Sequence, residues 1–281
     1  MTTTAETGGL TLRLRADLLA GIVILAAISA AALAAPWIAP HDPLAQDLSV
    51  NFAEPSATYW LGSDEFGRDI LSRLIWGARS TLLMSALVVA IAAPAGLLIG
   101  MAAGYFGGWV DIVLSRVTDL FLSFPSLILA LAFSAALGPG LEKAVLAVAL
   151  TSWPGLARIA RADSRVIRSS EYVLAERMLG ASPTRIVFTC ILPMVLPAVL
   201  VRTAMGMAAI ILTSAGLGFL GLGAQPPEPE WGAMLSTGRR YMLEYPWLVA
   251  APGAAILLIC IAFNLIGDAV RDMLDPRTSR Q

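Results

Sequence analysis

Long apolar runs alternate along this chain with short polar or Gly/Pro-rich intervals. A helix needs about 20 predominantly apolar residues to cross a bilayer. Six runs approach or exceed that length, at residues 18–38, 81–103, 117–137, 144–159, 196–222 and 247–266. They predict six transmembrane helices. Pro94 with Gly96, and Phe124-Pro125-Ser126, predict kinks within the second and third. The intervals read as a polar, disordered tail at 1–17 and a first helix over 18–39, followed by an outer loop at 40–78. A five-helix core over 79–267 and a polar tail at 268–281 complete the division. The first run is too long for the apolar part of a cleaved signal, so it reads as a retained span. In the outer loop, Ile70, Leu71, Leu74 and Ile75 recur at helical spacing from about Arg68 and predict an amphipathic lid helix on the membrane surface.

The longest polar interval, within 161–193, carries its own corner. Ser170 is placed to cap a short helix that Glu171 enters in its first turn, where a negative charge suits the helix dipole. Gly180 falls where a left-handed C-terminal cap is needed, and Ser182-Pro183 restarts a helix as N-cap and first residue. Pro193 should end or kink that second helix. Tyr172, Val173, Met178 and Leu179 give the first helix an exposed apolar load with no core of its own to enter. The small-residue run Gly216-Leu-Gly-Phe-Leu-Gly-Leu-Gly at the end of the fifth span permits close helix approach.

Composition changes the picture in one direction. The 281 residues are 57% hydrophobic and 14% charged, with a mean hydropathy of +0.75, which a soluble domain does not show. The net charge of −1 offers no basic field for nucleic acid. Arginine and lysine number twelve in the segments on the N-terminal side of the membrane and six in the others, so both termini and the 161–193 loop are expected in the cytoplasm.

Enzyme chemistry finds little footing. Lys143 lies between Glu142 and Ala144, so no phosphate-binding Gly-Lys-Ser/Thr exists. One histidine, His41, excludes an HExxH zinc site, no Gly-x-Ser-x-Gly appears, and His41 itself reads as solvent-facing. Cys190 and Cys260 lack metal-ligand spacing and read as small buried hydrophobes, and no metal site is expected. Asp111, Arg116 and Asp119 are expected to pair along their own helix, and Arg202 to reach the headgroups.

Five segments in register resemble the ABC-importer permeases for dipeptides, oligopeptides and nickel, and more closely their C-type subunit. They are LGSDEFGRDILSR from Leu61, GYFGGWVD from Gly104, EYVLAERMLGAS from Glu171, FLGLGAQPPEPEWGAML from Phe219 and NLIGDAVRDMLDPR from Asn264. The loop is similar to that family's EAA loop through Ala175-Glu176-Arg177, Gly180 and Ile191-Leu192-Pro193.

The resemblance implies an all-α integral membrane domain of the type I importer class in a bacterial-type inner membrane. This permease would pair with a second, homologous permease, two cytoplasmic ATPase subunits that use ATP and Mg, and an extracytoplasmic solute-binding protein. It binds no cofactor of its own. The cargo is expected to be di- or oligopeptides, with nickel, a nickel chelate or another small solute as alternatives, and a gradient-driven carrier as a competing class. By resemblance, Glu171, Tyr172, Val173, Ala175, Glu176, Met178, Leu179, Gly180, Ala181 and Ser182 contact the ATPase. Met205, Ile211, Ser214 and Gly218 line the pathway. Asp64, Gly67, Arg68, Asp69 and Trp231 form an outer gate or binding-protein contact. The chain departs from the family at Cys190, where His is usual, and at Met194, where Asn is usual. Ser214 replaces a common Glu, and Gly216 and Gly218 replace Ser.

Overall fold

A computed structural model describes residues 3–274, with side chains described for 16–273. Among these residues the fold is helical. The helices are α1 (Thr3–Ile38), α2 (Ile70–Phe106), α3 (Gly108–Leu122), α4 (Ser126–Leu137) and α5 (Leu141–Arg168). After them come α6 (Glu171–Met178), α7 (Pro183–Ile186), α8 (Leu192–Phe219), α9 (Trp231–Gly238) and α10 (Trp247–Leu274). Arg277 and Arg280 lie outside the described residues, as do the side chains of Arg13 and Arg15. Helix α1 begins at Thr3, inside the segment expected to be a disordered tail.

Four helical stretches are long and apolar enough to cross a membrane, at Ala16–Ile38, Ile70–Phe106, Pro183–Phe219 and Trp247–Met273. The pair α3 and α4 makes a fifth if counted as one span. It is bent by 93° across Ser123–Pro125, far beyond a kink, because Pro125 holds an extended conformation between the two helices. Helix α5 has the length for a sixth, but Arg158, Arg161, Arg165 and Arg168 make its second half polar.

The separate lid helix does not form. The amphipathic stretch and the second span are one helix, α2, capped by Asp69, whose carboxylate accepts the Ser72 amide at 2.8 Å. Nothing between Arg79 and Thr81 breaks helical hydrogen bonding, so the apolar face of the lid continues into the span.

The bundle is built on the α2–α5 pair. Gly96, Gly100 and Gly104 lie one turn apart on α2 and face α5. A Cβ at Gly96 would stand 2.7 Å from the Trp153 carbonyl oxygen, one at Gly104 2.6 Å from that of Arg161, and one at Gly100 closer still to that of Ala157. Small residues four apart let two helix backbones touch where lipid supplies no hydrophobic drive. The small-residue run at the end of α8 has a different use: it receives α9, with Gly232 against the Ala215 carbonyl at a would-be 2.5 Å.

Asp111 and Asp119 of α3 pair with another helix rather than along their own. Arg161 of α5 holds the Asp111 carboxylate of α3 with both nitrogens, Nη2 at 2.8 Å, and Arg158 reaches Asp119 at 3.0 Å. Arg158, Arg161 and Arg165 are thereby met by carboxylates of α3, while Arg168 donates to the Tyr105 carbonyl of α2 at 2.9 Å.

Candidate functional site

Three places concentrate unusual residues: a clasp over the start of α2, the short helix α6 at the opposite end, and a cavity between them.

The clasp is formed by the outer loop. Asp64 accepts hydrogen bonds from Arg68 Nε at 2.6 Å and from the amides of Phe66 and Arg68, both at 3.0 Å, while Arg73 Nε stands 3.6 Å away. Arg73 also donates to the carbonyls of Pro43 and Pro227, tying the loop to the segment before α9. Asp69 caps α2 and accepts the Ser72 hydroxyl, which in turn accepts the His41 amide. Gly67 has φ +70°, and a Cβ there would collide with the Asp47 carbonyl.

On the other side, Glu230 caps α9 through the Gly232 and Ala233 amides at 2.9 and 2.8 Å, with the Thr81 hydroxyl 3.4 Å away. Trp231 donates Nε1–H to the Leu74 carbonyl at 2.9 Å. Burial pushes the Glu230 carboxyl above its ordinary range, against the opposing pull of those amides and the Thr81 hydroxyl.

Asp64, Gly67, Arg68, Asp69 and Trp231 are all buried. Expected as an outer gate or binding-protein contact, Asp64, Arg68, Asp69 and Trp231 spend their side-chain hydrogen bonds on one another and on the surrounding chain, and so lock the loop to the bundle. His41 is half-buried: it stacks on Tyr59 at 4.9 Å with its Nδ1 3.6 Å from Asp69, rather than facing solvent.

Helix α6 follows the expected chemistry more closely. It ends in a Schellman motif: the Ala181 amide bonds the Glu176 carbonyl and the Gly180 amide that of Arg177, with Gly180 at φ +82°. Ser182 caps α7 by accepting the Arg185 amide, with Pro183 in the first turn. Ser170 occupies the N-cap position, yet its hydroxyl donates backwards to the Ile167 carbonyl at 2.6 Å and caps nothing. Pro193 does not end the helix. The turn Val187–Ile191 widens to π spacing, with the Leu192 amide bonding the Val187 carbonyl, and α8 continues from it.

The two faces of α6 differ. Val173 is fully buried in a cluster with Met101, Tyr105, Ile186, Ile191 and Val195, which corrects its expected exposure. Tyr172 donates its hydroxyl to the Cys190 carbonyl at 2.9 Å, and burial, with Cys190 nearby, pushes that hydroxyl's pKa up, keeping it a donor. Glu176 and Ala181 are half-buried, whereas Glu171, Ala175, Gly180 and Ser182 are exposed. Leu174, Met178 and Leu179 point outward, the last two at 89% and 83% exposure. Solvent-facing methionine and leucine at the end of a short helix mark an unfilled contact.

None of the residues expected to line the pathway, Met205, Ile211, Ser214 and Gly218, borders the cavity against α8. Ile211, Ser214 and Gly218 are buried. Gly218 packs on Glu230, where a Cβ would meet Oε2 at 2.5 Å, and Met205 packs on Gly267 of α10. The open face of α8 carries Arg202, Thr203, Gly206, Ala209, Ile210 and Thr213, which line a cavity of about 230 Å³ with α2, α4 and α5. Arg202, Thr203 and Thr213 mark this face in the sequence, on a span that is otherwise apolar or small.

This bundle, with a protruding apolar helix at one end, is that of an importer transmembrane domain. The chain belongs to the family of binding-protein-dependent transport system inner membrane components, which it matches over residues 96–280. It is a multi-pass inner-membrane permease subunit of the ABC importers. Residues 18–55 match the N-terminal transmembrane domain of oligopeptide transport permease C, which places it with the C-type subunits. It is 46% identical over 242 residues to the probable D,D-dipeptide transport system permease protein DdpC of Escherichia coli K12, covering 86% of this chain and 81% of that one. To the di/tripeptide transport system permease protein DppC of Pseudomonas aeruginosa UCBPP-PA14 it is 43% identical over 265 residues, covering 92% and 88%. In fold it is similar to the MetNI methionine ABC transporter in an inward-facing form, with TM-score 0.56, 22% identity, and coverage of 72% of this chain and 97% of that chain.

Proposed function

We propose that this chain is one permease half of an ATP-driven, binding-protein-dependent importer of di- and oligopeptides. A second homologous permease completes the pathway. Two ATPase subunits, which use ATP and Mg, dock at the α6 end in the cytoplasm, and a solute-binding protein delivers cargo at the clasp end. This chain hydrolyses nothing itself. The observation that carries the reading is the division of α6: Val173 and Tyr172 fasten it to the bundle while Leu174, Met178 and Leu179 stay unfilled. A helix held on one side and apolar on the other passes a partner's movement into the spans. The arginine bias supports the cytoplasmic placement of α6 and both termini, and the relatives named above support peptides as cargo.

The test is to tag the chain, solubilise native membranes gently, and assay what co-purifies for ATP hydrolysis. Recovery of a second permease with an ATPase is expected. A stable chain recovered alone, without ATPase activity, and uptake that survives ATP depletion but collapses with the proton gradient, would replace this reading with a gradient-driven carrier.

A further inference from the structure

The cavity between α2, α4, α5 and α8 lies near the middle of its helices. Val89 is central in the 37-residue α2, and Thr151 to Gly155 are central in the 28-residue α5. Arg202 is ten residues in from Leu192, about 15 Å along the axis of α8. A guanidinium at that depth is costly unless it is paired or faces water. Arg202 is exposed in this subunit and lines the cavity, and no ion pair or hydrogen bond among the described residues engages its side chain.

The neighbouring hydroxyls add a second constraint. Thr151 and Ser152 both donate to the Val148 carbonyl, at 2.9 and 2.7 Å, and Thr203 donates to that of Val199 at 2.8 Å. With their protons committed, these oxygens present only lone pairs to the cavity. The site therefore combines one strong multi-donor cation with a set of acceptors.

The geometry points to a site for the carboxylate of the transported solute, held by Arg202, with Thr151, Ser152 and Thr203 accepting from an ammonium or amide N–H of the same molecule. The guanidinium fork matches a carboxylate in bidentate fashion, so the cargo class is a small amino carboxylate with a free C-terminus. This rests on the transport reading above and assigns it a residue. A lipid phosphate shares the anionic chemistry, and the labelling experiment below separates the two sources.

The probe is radiolabelled dialanine, supplied to cells carrying the complete transporter. At equal amounts of inserted protein, Arg202→Gln should cut uptake tenfold or more, and Arg202→Lys should keep at least a third. Uptake by the Gln variant at the wild-type rate, or equal loss in both variants, would overturn the inference. A labelling experiment separates this from the transport reading. Arg202→Cys, in a Cys190→Ser/Cys260→Ser background, should react with a membrane-impermeant thiol reagent, and dialanine should slow the reaction at least threefold. An unreactive cysteine means a lipid-buried side chain and overturns the site. So does labelling that dialanine leaves unchanged. Absence of ATP-dependent dialanine uptake by the wild type counts instead against the peptide-importer reading, and the labelling result then still decides the site.

Discussion

At the clasp end Asp64, Arg68, Asp69 and Glu230 are buried charged groups, each 6% exposed or less, while at the α6 end Met178 and Leu179 are apolar and almost bare. Each end inverts the usual rule that charge goes out and hydrocarbon goes in. At the clasp the inversion is self-sufficient, because most carboxylate oxygens find a donor within the chain. At α6 it is incomplete, since nothing among the described residues covers the outer face. Buried charge with full partners fixes one geometry, whereas exposed hydrocarbon waits for another molecule. Damage at the clasp should therefore appear as instability, and damage at α6 as lost assembly with the protein intact.

The largest effect should come from Arg68→Ala, which leaves Asp64 buried with Arg73 as its remaining charged neighbour. Breaking a buried pair from one side costs about 3–5 kcal/mol, so the purified protein should unfold at lower temperature. A melting point unchanged from wild type would make the clasp ornamental. Gly180→Asp comes next. A side chain at φ +82° costs about 1–2 kcal/mol locally, yet there is open space for the Cβ, so the bundle should insert normally. Uptake should fall at least tenfold, and normal uptake would refute the role of α6.

A smaller effect concerns pH. The raised Glu230 carboxyl means that the folded state holds a proton the unfolded state has released, between the ordinary carboxylate value and the raised one. Stability contributed by this group thus falls as pH climbs through that window. Glu230→Gln should flatten the slope, at a cost of about 1 kcal/mol from one weakened cap bond; a slope identical to wild type would show that Glu230 does not set it. Leu179→Ser should change stability least, within about 0.5 kcal/mol, while reducing the ATPase recovered on co-purification. An equal loss of stability and assembly would erase the distinction between the two ends.

The legibility of the two ends differs for the same reason. Gly180, Ser182 and Pro183 act through backbone rules spanning a few residues, so the corner after α6 was readable locally. The burial of Val173 was not, because it depends on Met101, Tyr105 and Ile191, which approach only when α2 and α8 pack. At the clasp the motif from Leu61 was visible, but its inward orientation depends on the Pro43 and Pro227 carbonyls reached by Arg73. The Gly96, Gly100 and Gly104 series stands at contact spacing in the sequence, where Gly96 beside Pro94 reads as a kink and the denser glycine run in α8 as the close approach. On α8 only Arg202, Thr203 and Thr213 distinguish the open face, because the remaining residues on both sides are mostly apolar or small. Family resemblance identified the class of protein, and packing decided which side chains are buried.

The contact between α2 and α5 has a mechanical consequence. Backbones touching at three successive turns leave no soft layer to absorb sliding or rolling, so the two helices form a stiff strut. Only Ser169 and Ser170 separate that strut from α6. The 28-residue α5 is about 42 Å long. A tilt of about 5° imposed at one end of such a rod displaces the other by about 4 Å, more than the width of a water molecule. A small rotation applied at the α6 end of this strut is thus carried to its far end as a displacement of several ångströms, about 4 Å for about 5°.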